Sequence, residues 1–178
     1  MNFRILDKSS KEEVASLFTS VFSSSEGEHE GGLIGNLASS LAARTDNQEI
    51  IGIGAYEDAS MIGAIFFTRL RFGEPIRAYM LAPVAVSTTH QGRGVGQALI
   101  SFGLHELTNR SVTLAVTYGD PAFYSKVGFQ ALSEDVIQAP LQLSMPEGWL
   151  GQPLSGDAIP ILKSRPACVQ EFNNTDFW

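Results

Sequence analysis

Apolar positions follow two different periods along this chain, and each change of period marks an element. Residues 3–6 read as a short first strand. Val14, Leu17, Phe18, Val21 and Phe22 recur at helical spacing, which predicts a helix over residues 11–22. Ser9 and Ser10, ahead of Glu12 and Glu13, offer two overlapping capping boxes for it. Residues 23–32 are polar, acidic and Gly-rich and read as a loop, after which Leu33, Ile34, Leu37 and Leu41 line a second helix. Residues 49–56 and 61–71 are rich in Ile and Phe and flank Glu57-Asp58-Ala59-Ser60, a strand, turn and strand. Residues 77–86 form another strand, interrupted by Pro83, which marks a bulge or an unpaired stretch. An apolar-periodic helix follows over 95–107 and a strand over 112–117. Residues 121–127 read as a short helix with proline in its first turn and Gly128 just past its end. Residues 141–145 and 159–162 are weaker strand candidates. With no repeat or linker, this alternation predicts one α/β or α+β domain over residues 1–178.

The stretch between the Pro83 strand and the next helix carries the chemistry. It reads Val84-Ala85-Val86-Ser87-Thr88-Thr89-His90-Gln91-Gly92-Arg93-Gly94-Val95-Gly96. Glycines let a backbone turn tightly and approach a ligand closely. The first N–H groups of a helix lack internal partners and lie at its positive end. A glycine loop that feeds a helix start is therefore a pocket for phosphate, and Arg93 adds a cation to it. The P-loop pattern fails because no Lys-Ser or Lys-Thr follows. The dinucleotide fingerprint fails at Gln97, where its third glycine belongs. No G-x-S-x-G is present for a serine hydrolase, and no H-E-x-x-H for zinc.

Composition narrows the setting. The chain has 178 residues, 44% of them hydrophobic and 17% charged, enough to bury a sizeable core in one domain. A net charge of −7 gives no electrostatic reason to expect nucleic acid or an anionic membrane surface, and it tolerates a cationic acceptor such as an amine. The single cysteine, Cys168, excludes an intrachain disulfide framework and suits a reducing, cytoplasmic setting. No run of apolar residues is long enough for a membrane span.

The strand, Gln91, the glycines and the following helix together resemble the acetyl-CoA pyrophosphate loop of the GNAT N-acetyltransferases. A second segment agrees: Tyr118-Gly119-Asp120-Pro121-Ala122-Phe123-Tyr124-Ser125-Lys126-Val127-Gly128-Phe129 resembles the GNAT segment ending in F/Y-Y-x-K/R-x-G-F. Its Gly-Asp-Pro is similar to the YhbS-like branch, as are residues 28–37, the Pro83 strand and Pro146-Glu147-Gly148. The resemblance implies an α+β (α/β/α layered) GNAT fold. Its central sheet is mixed, mostly antiparallel and six- to seven-stranded, flanked by helices. It also implies an acyltransferase that takes acetyl-CoA as co-substrate and needs no metal. The acceptor would be a small-molecule or peptide amine, with neither nucleic acid nor membrane as partner.

Carried over residue by residue, the resemblance puts Val84, Ala85 and Val86 beside the pantetheine arm. It puts Gln91, Gly92, Arg93, Gly94, Val95, Gly96 and Gln97 around the pyrophosphate, chiefly through main chain. Tyr124 falls next to the sulfur, where a phenol with an ordinary pKa near 10 can protonate or hydrogen-bond a departing thiolate. Many GNAT enzymes carry a glutamate base on the strand entering the loop. Here that strand reads Tyr79-Met80-Leu81-Ala82-Pro83 and has no carboxylate. Glu28, His29, Glu30 or a water remain as candidates for the base. The missing carboxylate also leaves open a non-catalytic acyl-CoA-binding sensor or interaction module. His90 and His105 read as loop and helix-surface residues, and Asp120 as the cap of the helix that Pro121 begins. The terminal Phe177-Trp178 pair either packs on a neighbour, which leaves a homodimer open, or folds back on its own domain.

Overall fold

A computed structural model describes residues 1–178. Seven strands form one mixed sheet in the order β1-β2-β3-β4-β5-β7-β6, flanked by helices in an α+β arrangement. They are β1 (Asn2–Ile5), β2 (Ile50–Glu57), β3 (Ser60–Leu70), β4 (Ala78–Val86), β5 (Leu114–Tyr118), β6 (Gln130–Ala131) and β7 (Trp149–Pro153). The helices are α1 (Lys11–Glu26), α2 (Glu28–Ala43), α3 (Val95–Asn109) and α4 (Pro121–Tyr124). β4 and β5 are parallel and are joined through α3, as a parallel pair requires a crossover. The pairs β1–β2, β5–β7 and β6–β7 are antiparallel. By internal contacts the chain divides into two compact units: Met1–Phe67 with Pro83–Gly103, and Thr68–Ala82 with Leu104–Trp178.

In the first unit, every residue of β2 from Ile50 to Tyr56 is buried, and so is β3 from Met61 to Phe67. This explains why both read as near-continuous apolar runs rather than alternating ones. The turn between them holds Asp58 and Ala59 at φ 48° and 67°, the left-handed pair that a two-residue hairpin requires. α1 buries Val14, Phe18 and Val21, and α2 buries Ile34, Leu37, Ala38, Leu41 and Ala42.

The loop expected over 23–32 is not there. α1 runs on to Glu26 and α2 begins at Glu28, with only Gly27 between them at φ 96°. The polar residues of this stretch are helix surface, and of its glycines Gly31 serves close packing while Gly32 faces open space. A Cβ on Gly31 would lie 2.7 Å from the Ser23 backbone nitrogen, and one on Gly35 would collide with Thr19. The expected capping box is also absent. Ser10 makes no side-chain cap bond, and Glu13 instead accepts from the Met61 amide at 3.1 Å, tying α1 to the start of β3.

The second unit closes around Trp149, Tyr79 and Phe129, all almost fully buried. Trp178 is 5% exposed, stacks on Tyr118 and donates its indole N–H to the Phe172 carbonyl, so the terminal pair folds back on its own chain. Residues 141–145 and 159–162 are not strands. Leu143 and Leu162 are buried, but prolines at 140 and 146 bound the first stretch and Pro160 interrupts the second. The last strands are instead β6 and β7, which the apolar pattern did not reveal.

Candidate donor loop and reactive tyrosine

The register of β4 with β5 runs from Ala78↔Leu114 to Leu81↔Thr117, and β4 then continues to Val86. β4 runs unbroken through Pro83, so the strand is not interrupted there as expected; Pro83, which has no N–H to donate, lies just past the end of the pairing with β5. Of the strand residues assigned to the pantetheine arm, Ala85 is buried and Val84 and Val86 are half-buried. The Ser87 amide donates to Ile62 at 2.8 Å, and a single 3-10 turn follows over Thr88–His90.

The glycine loop is then set by two backbone positions. Gly92 and Gly94 take φ 72° and 78°, conformations that disfavour any side chain, and no atom lies within 4 Å of where a Cβ would stand on either. Arg93 between them is exposed. The Ala98 amide donates to the Gly94 carbonyl at 3.0 Å, a bond of helical span from the first turn of α3. The amides of Val95, Gly96 and Gln97 precede it, at the positive end of the helix where donors lack helical acceptors. This is the local geometry of an anion site. Gln91 is oriented by its own chain: its Nε2 donates to the Val86 carbonyl at 2.9 Å, which pins the loop's entry to the end of β4.

One pair here escaped the sequence reading. His90 is not a free loop residue. Its Nε2 lies 3.0 Å from Glu57 Oε2 at the end of β2, and its Nδ1 lies 2.9 Å from Thr89 Oγ1. Thr89 Oγ1 in turn lies 3.1 Å from Ser87 Oγ. His105 is exposed on α3, as expected.

In the second unit, Asp120 caps α4 by accepting from the Ala122 amide at 2.9 Å, and Gly128 ends the following 3-10 turn at φ 95°, both as the sequence predicts. These caps fix Tyr124, whose ring meets Phe123 and Phe129 edge-on. Gly119 makes room for that ring, since a Cβ there would come within 2.7 Å of it. Burial pushes the phenol up to about 12, against a hydrogen bond with Thr117 and with help from the Asp120 charge. Thr117 Oγ1, beside the phenol, donates to the Leu81 carbonyl at 2.8 Å. Glu28, His29 and Glu30 fall in the first turn of α2, with Glu28 and His29 exposed and Glu30 half-buried. Burial raises the Cys168 thiol, which argues against a nucleophilic role. No three or more His, Cys, Asp or Glu side chains gather where they could hold a metal ion, and no helix is long and apolar enough to cross a membrane.

Comparison with known proteins decides the family. Residues 2–132, well over half of the chain, match the acetyltransferase (GNAT) domain. This chain is a GNAT-family protein. Within the family it falls in the YhbS-like branch. It is 34% identical over 89 residues to the uncharacterized N-acetyltransferase YhbS of Escherichia coli K12, covering 49% of this chain and 53% of that one. The aligned stretch thus spans about half the length of that curated relative. It is 31% identical over 137 residues to the uncharacterized N-acetyltransferase YjhQ of the same organism, covering 75% of this chain and 71% of the relative. Among solved structures, Escherichia coli YhbS in complex with CoA superposes with a TM-score of 0.83 at 23% identity, over 98% of this chain and 92% of that one. A GNAT acetyltransferase from Brucella melitensis in complex with acetyl-CoA gives 0.74 at 22% identity, over 97% of each chain. At these identities the two structures establish the GNAT fold.

Proposed function

We propose that residues 1–178 act as a single N-acetyltransferase domain. It would move an acetyl group from acetyl-CoA to a primary amine by direct attack in a ternary complex. The observation that carries this reading is the donor loop. Gly92 and Gly94 hold left-handed backbone beside open space, directly ahead of the amides that start α3. A pyrophosphate is the ligand such a loop suits. The solved relatives with CoA or acetyl-CoA bound support the same donor. The pantetheine arm would run beside Val84, Ala85 and Val86, and a reducing cytoplasm suits both the lone thiol and this donor.

In the reaction a neutral amine attacks the thioester carbonyl carbon. A C–N bond forms, the C–S bond breaks, the electron pair leaves on sulfur, and the proton shed by the acylated nitrogen passes through water to the thiolate. Loop and strand backbone would orient the donor, lowering the entropic part of the barrier. Tyr124 would meet the leaving thiolate. A phenol at about 12 holds its proton more tightly than an ordinary alkyl thiol, so complete transfer to sulfur is uphill. Tyr124 therefore acts as a hydrogen-bond donor to sulfur rather than as a full proton source. The attacking ammonium must first lose a proton, to Glu28, His29, Glu30 or a water.

A second reading has one observation in its favour. Tyr79, Met80 and Leu81, ahead of Pro83, are buried and apolar or phenolic, so β4 supplies no carboxylate base. A GNAT-fold sensor that binds acyl-CoA without turnover would look the same there. Calorimetric titration with acetyl-CoA tests the first half of the proposal. The wild type should bind, and Gly94→Glu, which adds strain and a negative charge at φ 78°, should bind at least about tenfold more weakly. A wild type that binds no acetyl-CoA sinks both readings. Binding without acetylation of any amine in a broad panel selects the sensor.

A further inference from the structure

We infer that Glu57 and His90 are positioning residues that latch the entrance of the glycine loop and so set acetyl-CoA affinity, a role that rests on the donor reading above. The loop reaches Gly92 through the 3-10 turn over Thr88–His90, and a turn this short has little rigidity of its own. Backbone holds its beginning, since the Ser87 amide donates to Ile62 and the His90 amide to Ser87, each at 2.8 Å. Its far end is held by side chains. His90 reaches Glu57 Oε2 at 3.0 Å, across 33 residues of sequence, at the point where β2 ends.

The imidazole is satisfied at both nitrogens in a consistent direction. With Nε2–H donating to the Glu57 carboxylate, Nδ1 accepts from the Thr89 hydroxyl, which accepts in turn from Ser87. Every member of this chain therefore has a partner on a strand end or within the turn itself. None of them needs a ligand to complete its bonding. His90 Nε2 is occupied, so His90 is not itself a phosphate contact; it acts by fixing where Gln91, Gly92 and Gly94 begin. A loop ordered before the donor arrives does not have to be ordered by it, and binding is tighter by that amount.

The His90 side chain is 22% exposed and the Glu57 side chain 42%, so the expected effect is modest. By titration calorimetry, Glu57→Ala and His90→Ala should each weaken acetyl-CoA binding by about threefold to tenfold. The double variant should be no weaker than the weaker single, because one latch is broken in each case. Glu57→Gln keeps an acceptor at the same reach and should bind within about twofold of wild type. In the free protein, amide hydrogen exchange over residues 88–94 should quicken in both alanine variants and not in Glu57→Gln, with thermal midpoints unchanged. Additive losses, an equal loss in Glu57→Gln, or alanine variants that bind like wild type would each overturn the latch. A wild type that fails to bind acetyl-CoA would remove the donor reading and this role together, and is distinguishable from those outcomes.

Discussion

Tyr124 shows how a single side chain is tuned by what surrounds it. Burial raises its phenol to about 12, and the charge of Asp120, the residue that caps its helix, adds to the shift. Below about pH 10 the phenol is protonated in both the folded and the unfolded chain and gives no pH slope. Between about 10 and 12 the unfolded chain releases the proton first, so this residue makes stability fall as pH rises through that window. Urea midpoints measured from about pH 9 to 11.5 should therefore drop less steeply in Tyr124→Phe than in wild type. The same variant should lower kcat by about tenfold to a hundredfold while acetyl-CoA binding stays unchanged. An unaltered kcat across pH would show that the phenol does not meet the departing sulfur. The caps around Tyr124 are legible in the sequence because their signals are local. Asp120, Pro121, Tyr124 and Gly128 stand in one short segment whose caps and spacing speak for themselves. Glu57 and His90 were not, because the partner of each lies 33 positions away and neither residue type alone says where the other is.

The helix pair α1–α2 makes the corresponding point for elements. Gly27, Gly31 and Gly32 made this stretch look like a loop, yet only Gly27 breaks the helix. A glycine signals a turn or a close approach with equal force, and sequence cannot separate the two. The geometry separates them at neighbouring positions. A Cβ on Gly31 would meet the Ser23 backbone, 2.7 Å from N and 2.8 Å from Cα, and backbone cannot rotate away. On Gly32 it would meet nothing within 4 Å. Gly31→Ala should therefore destabilise by about 2 kcal/mol and lower Tm by about 4–8 °C. Gly32→Ala should raise stability by up to about 1 kcal/mol through helix propensity alone. Thermal unfolding of the two variants side by side checks the opposite signs, and a shared sign would mean that α1 and α2 do not approach this closely. The strands gave the reverse lesson. β2 to β5 were placed within a few residues because long apolar runs tie them to the core. β6 was too short, at two residues, to show a period, and β7 contains Gly151 and Pro153, which read as turn signals.

At the scale of the chain, the family match ends at residue 132, but the sheet does not. β7 lies between β5 and β6, pairing Leu114–Tyr118 on one side and Gln130–Ala131 on the other. Without residues 149–153, β5 becomes an open edge and β6 has no partner, so the segment beyond 132 completes the sheet rather than decorating it. The chain secures that segment with indoles. Trp149 donates to the Ile137 carbonyl at 2.9 Å and Trp178 to Phe172 at 2.8 Å, and both rings are buried against one another at 6.2 Å. A buried indole with a satisfied N–H combines a large apolar area with a fixed orientation. Trp178→Ala should therefore cost about 3–5 kcal/mol, a large share of the stability of a domain this size. A chain ended after residue 132 should lose cooperative unfolding altogether and associate through its bared β5 edge. Circular dichroism melts and size-exclusion chromatography read both variants. If the shortened chain were monomeric and melted as sharply as the full one, β7 would be dispensable and the fold of residues 2–132 would stand alone. If Trp178→Ala melted like wild type, the packing of Trp178 on Tyr118 and Trp149 would carry no stability.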